Sequence, residues 1–194
     1  MSHVFTYGSL MFDRVWSRVV CGTYPAAAAT LSGFRRQRVL DQDYPSLQRI
    51  DGSTCNGSAM GAGSRGERLS DEQGAGGDED AGAGEGPDTG SHKGGSKSAS
   101  EGEDALSGVV YLGVQADDLK ALDEFEGSEY CRIQVQVTVR AQVDGGPAPG
   151  SLLLADTYLF IASDKVAPGP WDPDDFERER IERFLREYPP PRSA

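Results

Sequence analysis

From residue 130 to 140 the chain alternates strictly. Ile133, Val135, Val137 and Val139 are apolar, and Arg132, Gln134, Gln136 and Thr138 between them are polar. A period of two predicts a strand with one face in a core and one in solvent. Asp144-Gly145-Gly146 turns the chain, and residues 152–162 return as its partner. Elsewhere the pattern is shorter. Residues 4–7 form a brief apolar run, and Phe12, Val15, Trp16 and Val19 then recur at helical spacing, which predicts a helix over 12–20. Residues 27–31 and 36–40 read as strands separated by Ser32-Gly33. A further strand over 44–47 has Pro45 at its start or on an edge. Residues 108–114 (GVVYLGV) read as a buried strand. Asp117 is then placed to cap a helix carrying Leu119, Leu122 and Phe125. At the end, Asp172 caps a helix with Pro173 in its first turn and a stripe of Ile181, Phe184, Leu185 and Tyr188; Pro189-Pro190-Pro191 stops it.

About six short strands, few helices and one long hairpin predict an α+β domain around a curled mixed sheet. Strand–helix alternations are too few for a doubly wound sheet, and the 194 residues are too few for a TIM barrel.

Composition changes this picture at one place. Residues 51–107 hold 12 Asp+Glu against 4 Lys+Arg, 15 of the 25 Gly and no aromatic residue. Such a stretch buries too little apolar surface to offset roughly 1–2 kcal/mol of backbone entropy per ordered residue. It is expected to be a disordered insertion in a single domain spanning 1–194, acting as a spacer or an interaction tether. Loop-closure entropy grows only logarithmically with length, so the flanking halves can belong to one fold. The chain's net charge is −12, of which the insertion carries −8. That acidity argues against nucleic acid and anionic membranes as partners. No apolar run approaches a membrane span, and no secretory signal is visible at the start. Three widely spaced cysteines, Cys21, Cys55 and Cys131, fit a reduced, cytoplasmic setting. Oligomeric state cannot be read from the sequence.

Candidate chemistry is narrow. The two histidines, His3 and His92, are poorly placed for a Ser-His-Asp or Cys-His mechanism. There is no phosphate-loop Gly-x-x-x-x-Gly-Lys, no Gly-x-Gly-x-x-Gly and no zinc-like His/Cys spacing, so neither metal nor cofactor is expected. Carboxylates remain. Leu122-Asp123-Glu124-Phe125-Glu126-Gly127 ends a helix, with Leu122 and Phe125 facing the core, Glu126 beside that face and Glu124 pointing outward. If Glu126 leans into an apolar pocket, desolvation raises its pKa and suits it to move protons near neutral pH. The alternative is an ordinary solvated acid. Tyr7-Gly8-Ser9-Leu10, where the first strand meets a turn, can gather bare N–H groups around an anion or a polarised carbonyl.

Taken together, Val4-Phe5-Thr6-Tyr7-Gly8-Ser9-Leu10, the Leu122–Gly127 segment and Tyr130-x-Arg132 resemble the γ-glutamylcyclotransferase-like superfamily. Within it they resemble the branch of γ-glutamylamine cyclotransferases and avirulence-induced-gene-type proteins. Leu31-x-Gly33-Phe34 with the arginines after it, Tyr44-Pro45-Ser46-Leu47, Gly108-Val109-Val110-Tyr111 and Trp171 match as well. The resemblance implies a small mixed β-barrel flanked by helices. It implies a small γ-glutamyl substrate cradled by Tyr7, Gly8, Ser9 and Leu10, with Glu126 as general acid/base in the release of 5-oxoproline and an amine. Tyr7 is expected to offer its hydroxyl or ring, or to be a core residue. Tyr130 and Arg132 are expected near the site, with pairing to Asp123 or Glu124 as the alternative for Arg132. Two other readings keep the same fold: a non-catalytic binding module that recruits a partner through the insertion, and hydrolysis or transfer in place of ring closure.

Overall fold

The computed structural model describes residues 1–51 and 105–188, which pack as one unit. The rest of the stretch expected to be disordered lies outside the described residues. Ten-residue strands β5 (Ala105–Val114) and β6 (Tyr130–Val139) and nine-residue β7 (Leu152–Phe160) combine with β1 (Ser2–Thr6) and β2 (Ala26–Ser32) in a closed barrel of order β1-β5-β2-β6-β7. All its pairings are antiparallel except the closing one, where β1 runs parallel to β7 at Val4 and Asp156. The alternation over 130–140 does what its period requires: Val135, Val137 and Val139 are buried inside the barrel with Phe5, Val110 and Leu159.

A second sheet of order β4-β3-β8 is built from β3 (Phe34–Val39), β4 (Pro45–Arg49) and β8 (Val166–Pro170). Pro45 opens the edge strand β4, where its missing N–H breaks no ladder bond. Two Pro and a Gly in β8 hide it from a hydrophobicity pattern; it exists because it pairs with β3. Helices α1 (Asp13–Val19) and α2 (Ala116–Glu126) pack outside the barrel with a C-terminal helical run. That run starts as α3 (Pro173–Asp175), widens into a π-helical turn at Phe176–Arg180 and closes as α4 (Ile181–Glu187). Their apolar faces meet in a second core around Val4, Trp16, Leu122, Phe176 and Phe184. No helix among the described residues is long and apolar enough to cross a membrane.

Two sequence expectations need correcting. Composition draws the insertion to 107, but residues 105–107 already begin β5 and pair with the end of β2, Ser32 opposite Ala105 and Leu31 opposite Leu106. Backbone pairing holds that end, and Leu106 packs against the barrel core. Asp117 does not cap α2. The cap position is Gln115, and Asp117 lies within the first turn, where its charge still suits the helix dipole. The buried acid here is Asp118, which accepts from the N–H groups of Cys21 (2.9 Å) and Gly22 (3.0 Å) and from the Tyr24 hydroxyl (2.5 Å), pinning the loop after α1 to α2. The cap at Asp172 is present: its carboxylate accepts from Asp174 N–H at 2.9 Å.

Gly108 marks the tightest backbone approach in the barrel. A Cβ there would lie 2.3 Å from the Thr6 carbonyl oxygen and 2.5 Å from the Phe5 ring. Gly108→Ala is therefore expected to destabilise the fold by about 1–3 kcal/mol, read as a lower urea midpoint with an unchanged m-value.

Candidate functional site

Strand β1 ends at Thr6, whose hydroxyl donates to the Val109 carbonyl at 3.2 Å, and the chain then leaves the barrel. The Tyr7 ring turns inward, and its hydroxyl donates to the Tyr158 carbonyl at 2.6 Å. Gly8 follows beneath Pro45: a Cβ on Gly8 would meet that ring at 2.6 Å, so only glycine lets the loop lie there. Ser9–Met11 form one 3-10 turn, held by Met11 N–H to the Gly8 carbonyl at 2.9 Å. Among the described residues no backbone carbonyl accepts from the N–H of Gly8, Ser9 or Leu10. Three consecutive donors are thus available together at one turn. The Ser9 side chain is buried and takes no nucleophile's partner.

Across from this loop, α2 ends on Glu126. The next residue, Gly127, has φ 70° and lets the chain reverse into a 3-10 turn and then β6. Glu126 and residues 5–10 line one cavity of about 100 Å³. Its other walls are mostly aromatic: Tyr44 and Pro45 from the start of β4, Phe125, Tyr130, Tyr158, and Phe184 and Tyr188 from the C-terminal run. The aromatic pairs interlock, with Tyr44 edge-on to Tyr130 and to Tyr188, and Phe184 stacked on Tyr188 at 4.5 Å.

The lining contains no Lys, Arg or His, and Glu126 has neither ion pair nor hydrogen bond among the described residues. Four tyrosines stand close enough for its charge to raise their pKa values beyond what burial does: Tyr7, Tyr44, Tyr130 and Tyr158. Each donates its proton elsewhere. Tyr7 gives to the Tyr158 carbonyl, Tyr44 to Glu129 at 3.3 Å, Tyr130 to the Pro45 carbonyl at 2.7 Å and Tyr158 to Asp123 at 2.8 Å. Glu126 is left half-buried by surface yet surrounded by protein, and desolvation alone pushes its pKa up to about 8. A carboxyl so placed exchanges protons readily near neutral pH, and the loop opposite can hold an anion.

The sequence candidates are divided by this geometry. Tyr7, Gly8, Ser9, Leu10, Glu126 and Tyr130 share the cavity. Arg132 does not line it: its Nε bonds Asp123 at 2.9 Å and a terminal nitrogen bonds Asp156 at 3.3 Å. Since Asp123 also accepts from Tyr158, Arg132 bears on the cavity only through that wall residue. Tyr7 and Tyr130 are held by backbone carbonyls and shape the cavity. Sequence reasoning missed Tyr44, Phe125, Tyr158, Phe184 and Tyr188 as wall residues. Tyr44 and Tyr188 had a faint signal, one opening the expected strand over 44–47 and the other ending the apolar stripe of the last helix, each an aromatic residue with a polar tip to place. Among the described residues no group of three or more His, Cys, Asp or Glu is arranged to hold a metal ion.

Because Glu126 holds its proton to about pH 8 when folded and to about 4.5 when unfolded, the unfolded chain binds fewer protons between those values, and stability falls as pH rises through that window. Glu126→Gln removes the penalty. It is expected to match the parent in stability below pH 4.5 and to exceed it by at least about 1 kcal/mol above pH 8, read by urea unfolding at both ends of the range.

Comparison with known proteins agrees with this architecture. Residues 92–173 match the profile of the family described as gamma-glutamyl cyclotransferase, AIG2-like; the matched region includes Glu126 and excludes the loop at 7–10. AIG2-like protein D of Arabidopsis thaliana is 26% identical over 187 residues, covering 96% of this chain and 86% of that protein. Two solution structures of Arabidopsis thaliana proteins share the fold, each with a TM-score of 0.51. One is 21% identical and covers 96% of this chain and 87% of its own; the other is 19% identical and covers 96% and 78%. With the helix that carries Glu126 inside the matched profile, a relative aligned along nearly the whole chain and a barrel of the same fold, the chain is similar to the gamma-glutamyl cyclotransferase, AIG2-like family.

Proposed function

We propose that the chain is a γ-glutamyl cyclotransferase that releases 5-oxoproline and an amine from a small γ-glutamyl compound. The observation that carries this reading is the pairing of an unpartnered, desolvated carboxyl at Glu126 with three unpaired N–H groups at Gly8, Ser9 and Leu10 across one aromatic cavity. The match of residues 92–173 to the gamma-glutamyl cyclotransferase, AIG2-like profile supports it.

In the proposed reaction the α-amine nitrogen of the substrate attacks its own γ-carbonyl carbon. A C–N bond forms to close the five-membered ring, and the C–N bond to the leaving amine breaks. Glu126 takes a proton from the substrate ammonium to free the attacking amine, and the two protons that nitrogen sheds in all pass through the carboxyl to the departing nitrogen, which leaves as an ammonium, so the carboxyl ends as it began. The nucleophile is tethered to its target, which makes the step effectively unimolecular and leaves the protein chiefly to orient the two ends. Loop N–H groups hold the charged end of the glutamyl unit or the oxygen on which charge develops. A bound ammonium beside Glu126 lowers the carboxyl's pKa and draws it toward the ionised form that accepts a proton. Tyr7 and Tyr130 contribute shape, with their hydroxyl protons committed to backbone carbonyls.

Two measurements test this. Glu126→Gln is expected to lower 5-oxoproline formation by about 10²–10⁴-fold across a panel of γ-glutamyl amines and peptides; equal rates in parent and variant would refute the assignment. In the parent, kcat/KM is expected to rise with pH as free Glu126 ionises near pH 8, and a flat profile from pH 6 to 9 contradicts its role as base. Mass analysis of the products separates ring closure from hydrolysis or transfer.

A further inference from the structure

The Nε of Arg36 is the sole buried side-chain nitrogen or oxygen without a hydrogen-bond partner among the described residues. The guanidinium is otherwise firmly held. One terminal nitrogen donates to the Tyr7 carbonyl at 2.6 Å and lies 3.9 Å from the Met11 sulfur, and the group stands 5.2 Å from the centre of the Trp171 ring. Trp171 is itself fixed by its indole N–H, which donates to the Asp43 carbonyl at 2.6 Å, and Asp43 takes a two-pronged ion pair from Arg183 on α4. Arg36 is therefore braced from behind by the second sheet and the C-terminal helix.

What it lacks is a counter-ion. No carboxylate among the described residues forms an ion pair with Arg36; burial lowers its pKa, and the field of Asp172 offsets only part of that. Guanidinium stays charged at neutral pH regardless. A desolvated cation without a partner is costly, and such groups persist where the charge is used.

Its one contact with the cavity loop shows the use. The acceptor is the carbonyl of the peptide that joins Tyr7 to Gly8, and the N–H of that same peptide is the first of the three unpaired donors. The bond is trans, as every peptide bond among the described residues is, so its oxygen and its N–H point in opposite directions. A cation on the oxygen polarises the whole peptide and makes its N–H a stronger donor on the opposite side. The cavity lining carries no cation of its own, so any anion held in the loop meets its nearest positive charge in Arg36, one peptide away.

We propose that Arg36 is a positioning residue that supplies, through the Tyr7–Gly8 peptide, the positive charge for an anionic group seated on the N–H groups of Gly8, Ser9 and Leu10, and that this group is the α-carboxylate of the γ-glutamyl unit. The identity of the carboxylate rests on the function proposed above. The ammonium on the same α-carbon, and the γ-carbonyl it attacks, then lie toward Glu126 and the aromatic wall, which suits a cavity with an acid on one side and donors on the other.

The test compares two rings that differ only in the carboxylate, 5-oxoproline and pyrrolidin-2-one, binding to the full chain by calorimetry. The parent is expected to prefer 5-oxoproline by at least about tenfold. Arg36→Gln and Arg36→Met are expected to abolish that preference, while Arg36→Lys keeps most of it. A merely structural prop would weaken both rings by one factor and leave the ratio intact, so an unchanged ratio in either neutral variant overturns the proposal. A parent with no preference overturns it without any variant. Turnover is read separately: a parent that forms 5-oxoproline while Arg36→Gln keeps the ratio refutes the role of Arg36 alone, whereas a parent that neither turns over nor binds either ring refutes the reading of the site as well.

Discussion

Desolvation of one carboxyl group is the constraint around which the rest of the site is arranged. Glu126 sits at the last turn of α2 in a mostly aromatic cavity, with no hydrogen bond to it among the described residues. A hydroxyl donated by any of four neighbouring tyrosines would lower its raised pKa. None is donated, because each is claimed by a carbonyl or by another acid. A buried hydroxyl must find an acceptor, and four acceptors placed away from Glu126 keep it reactive without leaving any tyrosine unsatisfied. The polar order of the cavity is thus a matter of which bonds are made elsewhere.

That order depends on segments far apart in the chain. The loop at 7–10 leaves the barrel, Pro45 opens the second sheet, Glu126 ends α2, and Phe184 and Tyr188 close the C-terminal run. Three long-range ties hold them in place: Arg36 to the Tyr7 carbonyl, Trp171 to the Asp43 carbonyl, and Arg183 to the Asp43 carboxylate. Arg132 plays the matching part on the other side, where it joins Asp123 to the barrel and so fixes the acceptor of Tyr158. Arg132, the cation expected near the substrate, is instead part of the frame that orients an uncharged wall residue.

The elements with a clean period were legible. The strand over 130–140, the helices carrying Trp16 and Leu122 and the cap at Asp172 formed as their residue types require, because side-chain burial and capping act within a few residues. Where the pattern was silent or misleading, the deciding interaction was distant. Strand β8, rich in Pro and Gly, exists by pairing with β3, and residues 105–107 join β5 by pairing with β2 although their composition belongs to the acidic stretch. The π-helical turn at Phe176–Arg180 has no sequence signal, yet it precedes Phe184 of α4 and Tyr188 just after that helix, both of which reach the cavity.

By itself the sequence determined the residue types and their local geometry: a glycine turn after a short apolar strand, an acid one position past a core phenylalanine, and a stripe that must bury the last helix. These follow from covalent structure and from periodicities of two and 3.6 residues, which need no knowledge of partners. Only the tertiary structure decided that Glu126 faces the loop at 7–10, that the tyrosine protons are spoken for, that Arg132 stands outside the cavity and that Arg36 stands behind it without a counter-ion. A pKa, a hydrogen-bond partner and an unpaired charge are properties of the surroundings. Here those surroundings are brought together from residues more than a hundred positions apart in the chain.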